Sequence, residues 1–359
     1  MKILIPVTGF GASGGMRVLS RLADEFIKNG HSVDFLAPYD RSIPYFPTNA
    51  KINTIHVDWN FPRYLRYLKF FSEILFLSFW INKHQEKYDL VLSNAWITAY
   101  VVIFANAKKR LKKFYYIQAY EPDFCNEQKN PILRVILRFL AKKTYGFGFY
   151  PIVNSEIYKN YREIVAHDVV EPGIDGDVFF PAAEDFGKDS IKIGCIGRRE
   201  IWKGTKTILD AIAIASKALN ISIDVEVAFN LPDGVDENEK IKLKTPHGDK
   251  KLADFYRGVD IFVATGHIQS GAFHYPCMEA MACGKIVITN YSPGNEDNAI
   301  FLNEIDKKVI SSKIVEEIKK PKFNKIELIK NSEKIREKYA WNNVARKMMT
   351  IFEENLNKK

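Results

Sequence analysis

Short apolar runs alternate along this chain with longer segments in which apolar residues recur at helical spacing. Such alternation predicts parallel β-sheets whose strands are joined by α-helices. The series occurs twice, so we expect an α/β protein with two halves of similar build. The predicted strands cover residues 2–7, 32–36, 90–93, 114–118 and 151–153 in the first half, and residues 191–196, 223–228, 261–264 and 286–289 in the second.

The two series are separated by residues 171–181, a segment dense in Pro, Gly and Asp that is typical of a hinge between domains. We predict a first domain at 1–170, a hinge at 171–187 and a second domain at 188–338. Residues 339–359 form a helix that either covers a sheet or crosses back to the first domain. Because parallel sheets bind ligands beyond the carboxyl ends of their strands, two facing sheets would share one interdomain cleft.

The composition is that of a soluble globular protein, since 47% of the 359 residues are apolar and 26% are charged. This length fits two domains. The four cysteines have neither Cys-x-x-Cys spacing nor a histidine at zinc-finger spacing, so we expect no structural metal site and no disulfide framework. The N-terminal apolar run is interrupted by Pro6 and is too short for a signal peptide, which predicts a cytoplasmic protein.

The net charge of +9 lies entirely in the first half of the chain. Residues 1–170 contain 23 Lys and Arg against 14 Asp and Glu, whereas residues 171–359 contain 29 of each. A cluster that includes Lys108, Lys109 and Arg110 contributes to this excess, which favours a polyanionic partner surface. Because no RNA-binding aromatic box or helix-turn-helix pattern is present, we do not expect nucleic acid, and an anionic membrane is the first candidate.

An aromatic-rich run at residues 64–80 bears on membrane binding. Arg66, Lys69 and Glu73 interrupt it too often for a segment that spans a bilayer. The run fits an amphipathic helix at a membrane interface, and it also fits an ordinary helix packed against a sheet. Peripheral attachment to the inner face of the plasma membrane is therefore a hypothesis.

A glycine-rich turn follows the first predicted strand. Gly9, Gly11 and Gly14 have the G-x-G-x-x-G spacing of dinucleotide-binding turns, where the backbone approaches a phosphate at a helix N-terminus. That motif also requires an acidic residue at the end of the second strand, and Asp34 lies inside the predicted strand instead. An NAD-dependent oxidoreductase remains an alternative, as does a tight turn without a ligand.

Two segments of the second half contain candidate ligand-binding groups. Arg198 and Lys203 lie in a glycine-flanked turn after a predicted strand, where two fixed cations could hold a diphosphate and stabilise the charge on a departing phosphate. A solvated basic loop is the alternative. Glu279 lies one turn into a short helix that follows a turn of small residues. Its carboxylate could accept hydrogen bonds from two ribose hydroxyls, or it could balance the helix dipole.

Together these segments resemble the family-4 glycosyltransferases of the GT-B fold. The resemblance rests on Gly14-Gly15, the Arg198/Lys203 turn and the motif Pro-Cys-Met-Glu-Ala-Met-Ala-Cys-Gly at residues 276–284. Residues 29–33 and 260–263, the hinge and the helix at Trp341 also fit, in the order in which they occur in the family. The resemblance implies two facing Rossmann-like domains and transfer of a sugar from a nucleotide-sugar donor with retention of anomeric configuration. It places the donor in the second domain and the acceptor in the first.

The same resemblance implies roles for individual residues. Arg198 and Lys203 would bind the diphosphate leaving group, and Glu279 would bind the ribose. No metal ion or cofactor is expected, because the two cations would replace it, and the D-x-D match at Asp175 and Asp177 lies in the hinge. The implied donor-binding residues are Gly14, Gly15, Gly271, Phe273, His274, Tyr275 and Pro276.

Two departures from the family pattern affect substrate choice. The family commonly has a glutamate eight positions before Glu279, where this chain has Gly271. The missing carboxylate makes a less hydroxylated donor sugar such as a 6-deoxyhexose plausible, and it also keeps open a non-catalytic nucleotide-sugar-binding module. The second departure lies in residues 115–124, where many relatives have a histidine near Gln118. This stretch is similar to a Gln-x-Tyr-Glu-Pro pattern of bacterial rhamnosyltransferases, so Gln118 or Glu121 either orients the acceptor or has a structural role.

From this resemblance we expect an enzyme of bacterial surface-polysaccharide or glycoconjugate biosynthesis. The leading donor is dTDP-rhamnose, and the expected acceptor is a lipid-linked or polysaccharide glycan.

Overall fold

The computed structural model describes residues 1–57, 66–105, 111–182 and 190–358, of which residues 66–70 are described by their backbone alone. The chain forms two compact units, Met1–Pro172 together with Trp341–Lys359, and Gly173–Ala340. Some features discussed above lie outside the described residues, namely Lys108, Lys109, Arg110, residues 64–65 of the aromatic run and residues 183–187 of the predicted hinge.

The first unit contains a seven-stranded sheet in the order β3-β2-β1-β4-β5-β6-β7, with every pair of neighbours parallel. Its strands are β1 (Lys2–Pro6), β2 (Ser32–Pro38), β3 (Lys51–Ile55), β4 (Leu90–Ser93), β5 (Lys112–Ile117), β6 (Tyr150–Val153) and β7 (Asp168–Val169).

The second unit contains a parallel six-stranded sheet in the order β10-β9-β8-β11-β12-β13. Its strands are β8 (Ile191–Ile196), β9 (Ile223–Ala228), β10 (Ile241–Lys244), β11 (Ile261–Ala264), β12 (Ile286–Thr289) and β13 (Ala299–Phe301). Both sheets follow the 3-2-1-4-5-6 strand order of the Rossmann fold. The predicted α/β class with two Rossmann-like parallel sheets is confirmed.

Helices connect most of these strands. They are α1 (Gly14–Lys28), α2 (Arg66–His84), α3 (Trp96–Ala105), α4 (Pro131–Thr144), α5 (Thr205–Leu219), α6 (Gly248–Gly258), α7 (Tyr275–Ala282), α8 (Lys307–Lys319), α9 (Lys325–Lys338) and α10 (Trp341–Asn357). In α1 the apolar residues Val18, Leu22 and Phe26 recur at helical spacing and are buried, which gives the helix one apolar face.

The terminal helix α10 belongs to the first unit. Its Phe352 is fully buried, with its ring centroid 5.9 Å from that of Phe26 in α1 and 4.6 Å from that of Phe114 in β5. The last helix of the sequence therefore contributes to the core of the unit with which the chain begins.

The predicted strands correspond to the interior of the two sheets. The nine strands expected from apolar runs are the nine that have a neighbour on each side, with ends that differ by up to two residues. The strands that the pattern missed are the four edge strands β3, β7, β10 and β13. In β10, for example, Lys242 and Lys244 are exposed and alternate with partly buried apolar residues. An edge strand with one solvated side does not read as a continuous apolar run.

Glu121 stabilises the start of a helix in the first unit. It begins a short 3₁₀ helix (Glu121–Glu127) that follows β5. Its Oε2 accepts hydrogen bonds from the backbone N–H of Trp96 and from the hydroxyl of Tyr115, both at 2.7 Å. Because Trp96 is the first residue of α3, the carboxylate caps that helix. Desolvation raises the pKa of Glu121 from 4.5 to about 7, against the opposing effect of these two hydrogen bonds.

We predict that Glu121→Gln changes how stability depends on pH. Between pH 4.5 and about 7 the unfolded chain releases the Glu121 proton while the folded chain retains it, so the stability of the folded chain decreases as the pH rises through this range. The difference in pKa corresponds to about 3 kcal/mol. Urea denaturation at about pH 5 and about pH 8 should show that the variant gains stability relative to wild type as the pH rises.

The matched control is Glu127→Gln, which removes an exposed carboxylate from the same 3₁₀ helix. If all three proteins respond equally to pH, Glu121 does not hold its proton in the folded chain.

Candidate functional site

The carboxyl edge of the second sheet is where this topology favours a ligand. The connections that leave β8 and β11 cross the sheet in opposite directions, which makes this pair of strands the topological switch point. Arg198 follows β8, and the loop of residues 265–274 follows β11. The predicted cations and the predicted donor loop therefore leave neighbouring strands at the same edge.

The turn after β8 is tightly folded. The backbone N–H of Gly197 donates to the carbonyl of Ala228, and a Cβ at Gly197 would lie 1.7 Å from the carbonyl oxygen of Asn230, so only glycine fits. The backbone N–H of Arg198 donates to Thr205 Oγ1 at 3.0 Å. Since Thr205 is the first residue of α5, this bond holds the turn at the N-terminus of that helix.

The two predicted cations, Arg198 and Lys203, both affect the pKa of His274. Arg198 is exposed, and its guanidinium carbon lies 5.8 Å from the centre of the Phe229 ring. Lys203 Nζ lies 4.1 Å from the centre of the Trp202 ring. Burial lowers the pKa of His274 well below its ordinary value, and the charges of Lys203 and Arg198 lower it further. The charges of both side chains therefore act on His274, in the loop that leads into α7.

The loop after β11 is bound on two sides. The side chain of Asn290, which is fully buried, accepts from the Gly266 N–H at 3.0 Å and donates to the Gly266 carbonyl at 2.9 Å. The His267 N–H donates to the carbonyl of Trp202 at 2.8 Å. Sequence analysis missed Asn290, although its place directly after β12 at the carboxyl edge is the signal that could have identified it.

Further backbone bonds orient the end of this loop toward α7. The His274 N–H donates to the Ser292 carbonyl at 2.8 Å, and the imidazole stacks on Tyr291 with ring centroids 4.4 Å apart. Phe273 packs edge-on against Tyr275, which with Pro276 forms the first turn of α7. The carbonyl of Ser292 and the ring of Tyr291 therefore hold His274 directly before α7.

Gly271 has a conformational reason to be glycine. Its φ is +86°, and its N–H donates to the Asn290 carbonyl at 2.7 Å. Side chains other than glycine rarely adopt this left-handed conformation. The position where the family commonly has glutamate is thus occupied by a residue that the backbone geometry itself favours.

Two buried hydroxyls lie at this edge. Thr265 Oγ1 and the Tyr291 hydroxyl have no hydrogen-bond partner among the residues that the structure describes. Buried polar atoms without a partner are uncommon in folded proteins, and they favour a site where a polar ligand or water completes the hydrogen bonding.

Glu279 is more enclosed than the sequence suggested. It lies in α7 with only 1% of its surface exposed, and its Oε2 accepts a hydrogen bond from the Tyr256 hydroxyl of α6 at 2.9 Å. We expected a carboxylate open to two ribose hydroxyls, whereas the structure engages one of its oxygens with Tyr256, a residue that sequence analysis missed. Ribose binding by Glu279 stays a prediction.

In the first unit, Gln118 lies against the start of α1. Gly14 and Gly15 form the first turn of this helix, which Ser13 caps. A Cβ at Gly15 would lie 3.3 Å from Gln118 Oε1, and Gln118 Nε2 donates to the Gly15 carbonyl at 3.5 Å. The structure therefore brings Gln118 and Gly15 together at the carboxyl edge of the first sheet, whereas Glu121 caps α3.

The glycine pattern of the first turn lacks the acidic residue of a dinucleotide site. Asp34 lies in the middle of β2, where its Oδ2 accepts from the Tyr88 hydroxyl at 2.7 Å and from Asn53 Nδ2 at 3.0 Å. Gly9 has a φ of +143°, and a Cβ there would lie 2.7 Å from Cβ of Arg41. The close approach of Arg41 leaves no room for a side chain at this position, which explains the glycine without a bound nucleotide.

The Asp-Gly-Asp segment forms a local turn, in which the Asp177 N–H donates to Asp175 Oδ1 at 3.3 Å. Within the described ranges, no group of three or more His, Cys, Asp or Glu side chains is arranged to bind a metal ion.

Comparison with known proteins places these features in a family. The model for Glycosyltransferase Family 4 matches residues 12–175, and the model for Glycosyl transferases group 1 matches residues 179–343. The O-antigen biosynthesis protein RfbC of Myxococcus xanthus is 27% identical over 216 residues, which cover 58% of this chain and 16% of that much longer protein. An uncharacterized glycosyltransferase of Methanocaldococcus jannaschii, MJ1069, is 22% identical over 78% of this chain and 80% of its own length.

Solved structures share the fold. Sucrose-phosphate synthase from Thermosynechococcus elongatus superposes with a TM-score of 0.76 at 15% identity, over the full length of both chains. HepE of Anabaena in complex with UDP and glucose gives a TM-score of 0.69 at 14% identity, over 99% of this chain and all of that one. With two family models matched in succession along nearly its whole length and both sheets in Rossmann order, the chain belongs to the family-4 glycosyltransferases of the GT-B fold.

Proposed function

We propose that this chain transfers a sugar from a nucleotide-sugar donor to a growing cell-surface polysaccharide, with retention of anomeric configuration. The observation that carries the proposal is the turn with two cations, Arg198 and Lys203, which is joined to the loop that leads into α7 by the hydrogen bond from the His267 N–H to the Trp202 carbonyl. The name of the Myxococcus relative, an O-antigen biosynthesis protein, and the UDP and glucose bound by HepE support this choice of pathway and donor class.

The proposed chemistry depends on stabilising a leaving group. The acceptor oxygen forms a bond to C1 of the sugar, the bond from C1 to the diphosphate breaks, and the acceptor releases a proton. Negative charge develops on the diphosphate, where Arg198 and Lys203 stabilise it. The N-terminus of α5, which begins at Thr205, adds positive potential. Because these groups supply the charge, we propose that no divalent metal ion is required.

We propose dTDP-rhamnose as the donor. A 6-deoxyhexose presents fewer hydroxyls, which suits a loop that has Gly271 where the family commonly has a carboxylate. For the acceptor we propose a lipid-linked or polysaccharide glycan, oriented by Gln118.

Removing either cation should abolish transfer while leaving the fold intact. We expect Arg198→Ala and Lys203→Ala to lower kcat/KM for dTDP-rhamnose by about 100-fold or more, as for other groups that stabilise developing charge. Release of dTDP measures turnover, and thermal unfolding verifies the fold.

Neighbouring cations give matched controls for that experiment. Arg199→Ala removes an exposed arginine from the same turn, and Lys206→Ala removes an exposed lysine from the first turn of α5. Full turnover in the Arg198 and Lys203 variants, or equal losses in the controls, would remove the diphosphate-binding role.

Ribose binding by Glu279, and the effect of its hydrogen bond with Tyr256, can be tested with UDP and dUDP, which differ only in the 2′-hydroxyl. We expect Glu279→Gln to weaken the binding of both nucleotides, because a charged acceptor is replaced by a weaker one. Tyr256→Phe releases Oε2 and should raise the affinity for UDP relative to dUDP several-fold. Calorimetric titration measures both affinities, and an unchanged ratio in Tyr256→Phe would argue against ribose binding at this carboxylate.

A panel of donors tests the sugar itself. Since a ligand that binds only the folded chain raises its melting temperature, we expect dTDP-rhamnose to stabilise the protein more than dTDP-glucose or UDP-glucose, and to be consumed. Stabilisation without turnover across a broad acceptor panel would instead support a non-catalytic binding module, and stabilisation by NAD alone would support the oxidoreductase.

A further inference from the structure

Helix α4 presents an apolar stripe to solvent. Ile132, Val135, Ile136 and Phe139 follow the i, i+3, i+4, i+7 spacing of one helix face, and they are between 48% and 71% exposed. In a helix that covers a sheet such a stripe normally faces the core. Here the opposite side of α4 is the packed one, since Ala141 and Thr144 are fully buried.

Helices α2 and α3 extend this surface. α3 packs against both α2 and α4, and the hydroxyl of Tyr100 in α3 donates to the carbonyl of Leu140 in α4 at 3.1 Å. We define the helical face as the large apolar residues that these three helices expose: Phe71, Leu75, Phe76, Phe79, Phe104, Ile132, Val135, Ile136 and Phe139. An exposed apolar patch of this kind marks an interaction site.

The aromatic run of α2 has features of both helices considered from the sequence, one packed against a sheet and one at a membrane interface. Ile74, Leu77 and Ile81 are buried in the core of the first unit, as an ordinary covering helix requires. Phe71, Leu75, Phe76 and Phe79 are exposed on the other side. Packing against the sheet therefore leaves a second apolar side of the helix exposed.

The charged residues of α2, α3 and α4 favour an anionic partner. The sequences of α2, α3 and α4 contain a single carboxylate, Glu73, which is buried and paired with Arg41. Helix α4 contains four Lys and Arg; Arg138 and Lys143 are exposed beside the stripe, and Lys143 Nζ lies 5.2 Å from the centre of the Phe139 ring. A second copy of this chain would bring like charges together, whereas an anionic lipid surface accepts both the cations and the apolar side chains.

We propose that the helical face binds the surface of an anionic bilayer. The apolar side chains enter the boundary between headgroups and acyl chains, and the flanking cations contact the lipid phosphates. Among the helices that the structure describes, none has the length and apolar character needed to cross a membrane, so binding occurs at the surface. The proposal is independent of the sugar and the donor.

Vesicle flotation tests the proposal. The purified chain should float with vesicles made of equal parts phosphatidylglycerol and phosphatidylcholine at low ionic strength, and less at high ionic strength or with phosphatidylcholine alone. Phe139→Asp and Phe79→Asp should each reduce binding about 10-fold or more. Ile326→Asp, at an apolar residue of α9 that is 79% exposed in the second unit, is the matched control and should bind as wild type.

A charge-reversed variant keeps the test decisive if an aspartate perturbs folding. Arg138→Glu combined with Lys143→Glu leaves the apolar stripe intact and should also abolish flotation with anionic vesicles, with an unchanged melting temperature. Absence of wild-type binding to anionic vesicles, or wild-type binding by all of these variants, would overturn the proposal. A concentration-dependent dimer that Phe139→Asp disrupts, without vesicle binding, would assign the face to a second copy.

Discussion

The hydrogen bonds that join three loops at the carboxyl edge of the second sheet hold the candidate site together. Asn290 contacts both polar backbone groups of Gly266, the carbonyl of Trp202 accepts from His267, and Ser292 accepts from His274. Because Asn290 is fully buried, its two bonds to Gly266 form away from competing water. The positions of the cation turn and of the start of α7 follow from this network, so the site is set by backbone pairing more than by its own side chains.

The electrostatic character of this edge follows from the same geometry. Lys203 and Arg198 both act on His274, whose enclosure against Tyr291 keeps the imidazole neutral. A protonated imidazole would add a third positive charge and would be repelled by the charges of Lys203 and Arg198. Neutral His274 packs against Tyr291 without adding charge. Arg198 and Lys203 supply the positive charge that an anionic ligand can neutralise.

The two units have the same sheet topology but differ in where their charged side chains lie. The carboxyl edge of the first sheet has the uncharged Gln118 beside Gly15, and its nearby carboxylate, Glu121, is engaged in capping α3. Two cations of this unit, Arg138 and Lys143, are exposed on α4 beside apolar side chains. The second unit has the candidate diphosphate-binding cations, Arg198 and Lys203, in the turn after β8. In a membrane-bound enzyme this arrangement would separate surface attachment from leaving-group chemistry.

The sequence by itself determined those features that depend on consecutive residues, namely the interior strands and the turn after β8. Interior strands are buried on both faces and read as apolar runs, and the glycine-flanked turn with Arg198 and Lys203 is a contiguous motif. Edge strands such as β10 lack that signal because one side is solvated. Tertiary structure alone decided the Asn290 network, the bond between Tyr256 and Glu279, and the outward direction of the α4 stripe. Each of these depends on which distant residues meet, and helical periodicity is the same whether an apolar face meets a core or solvent.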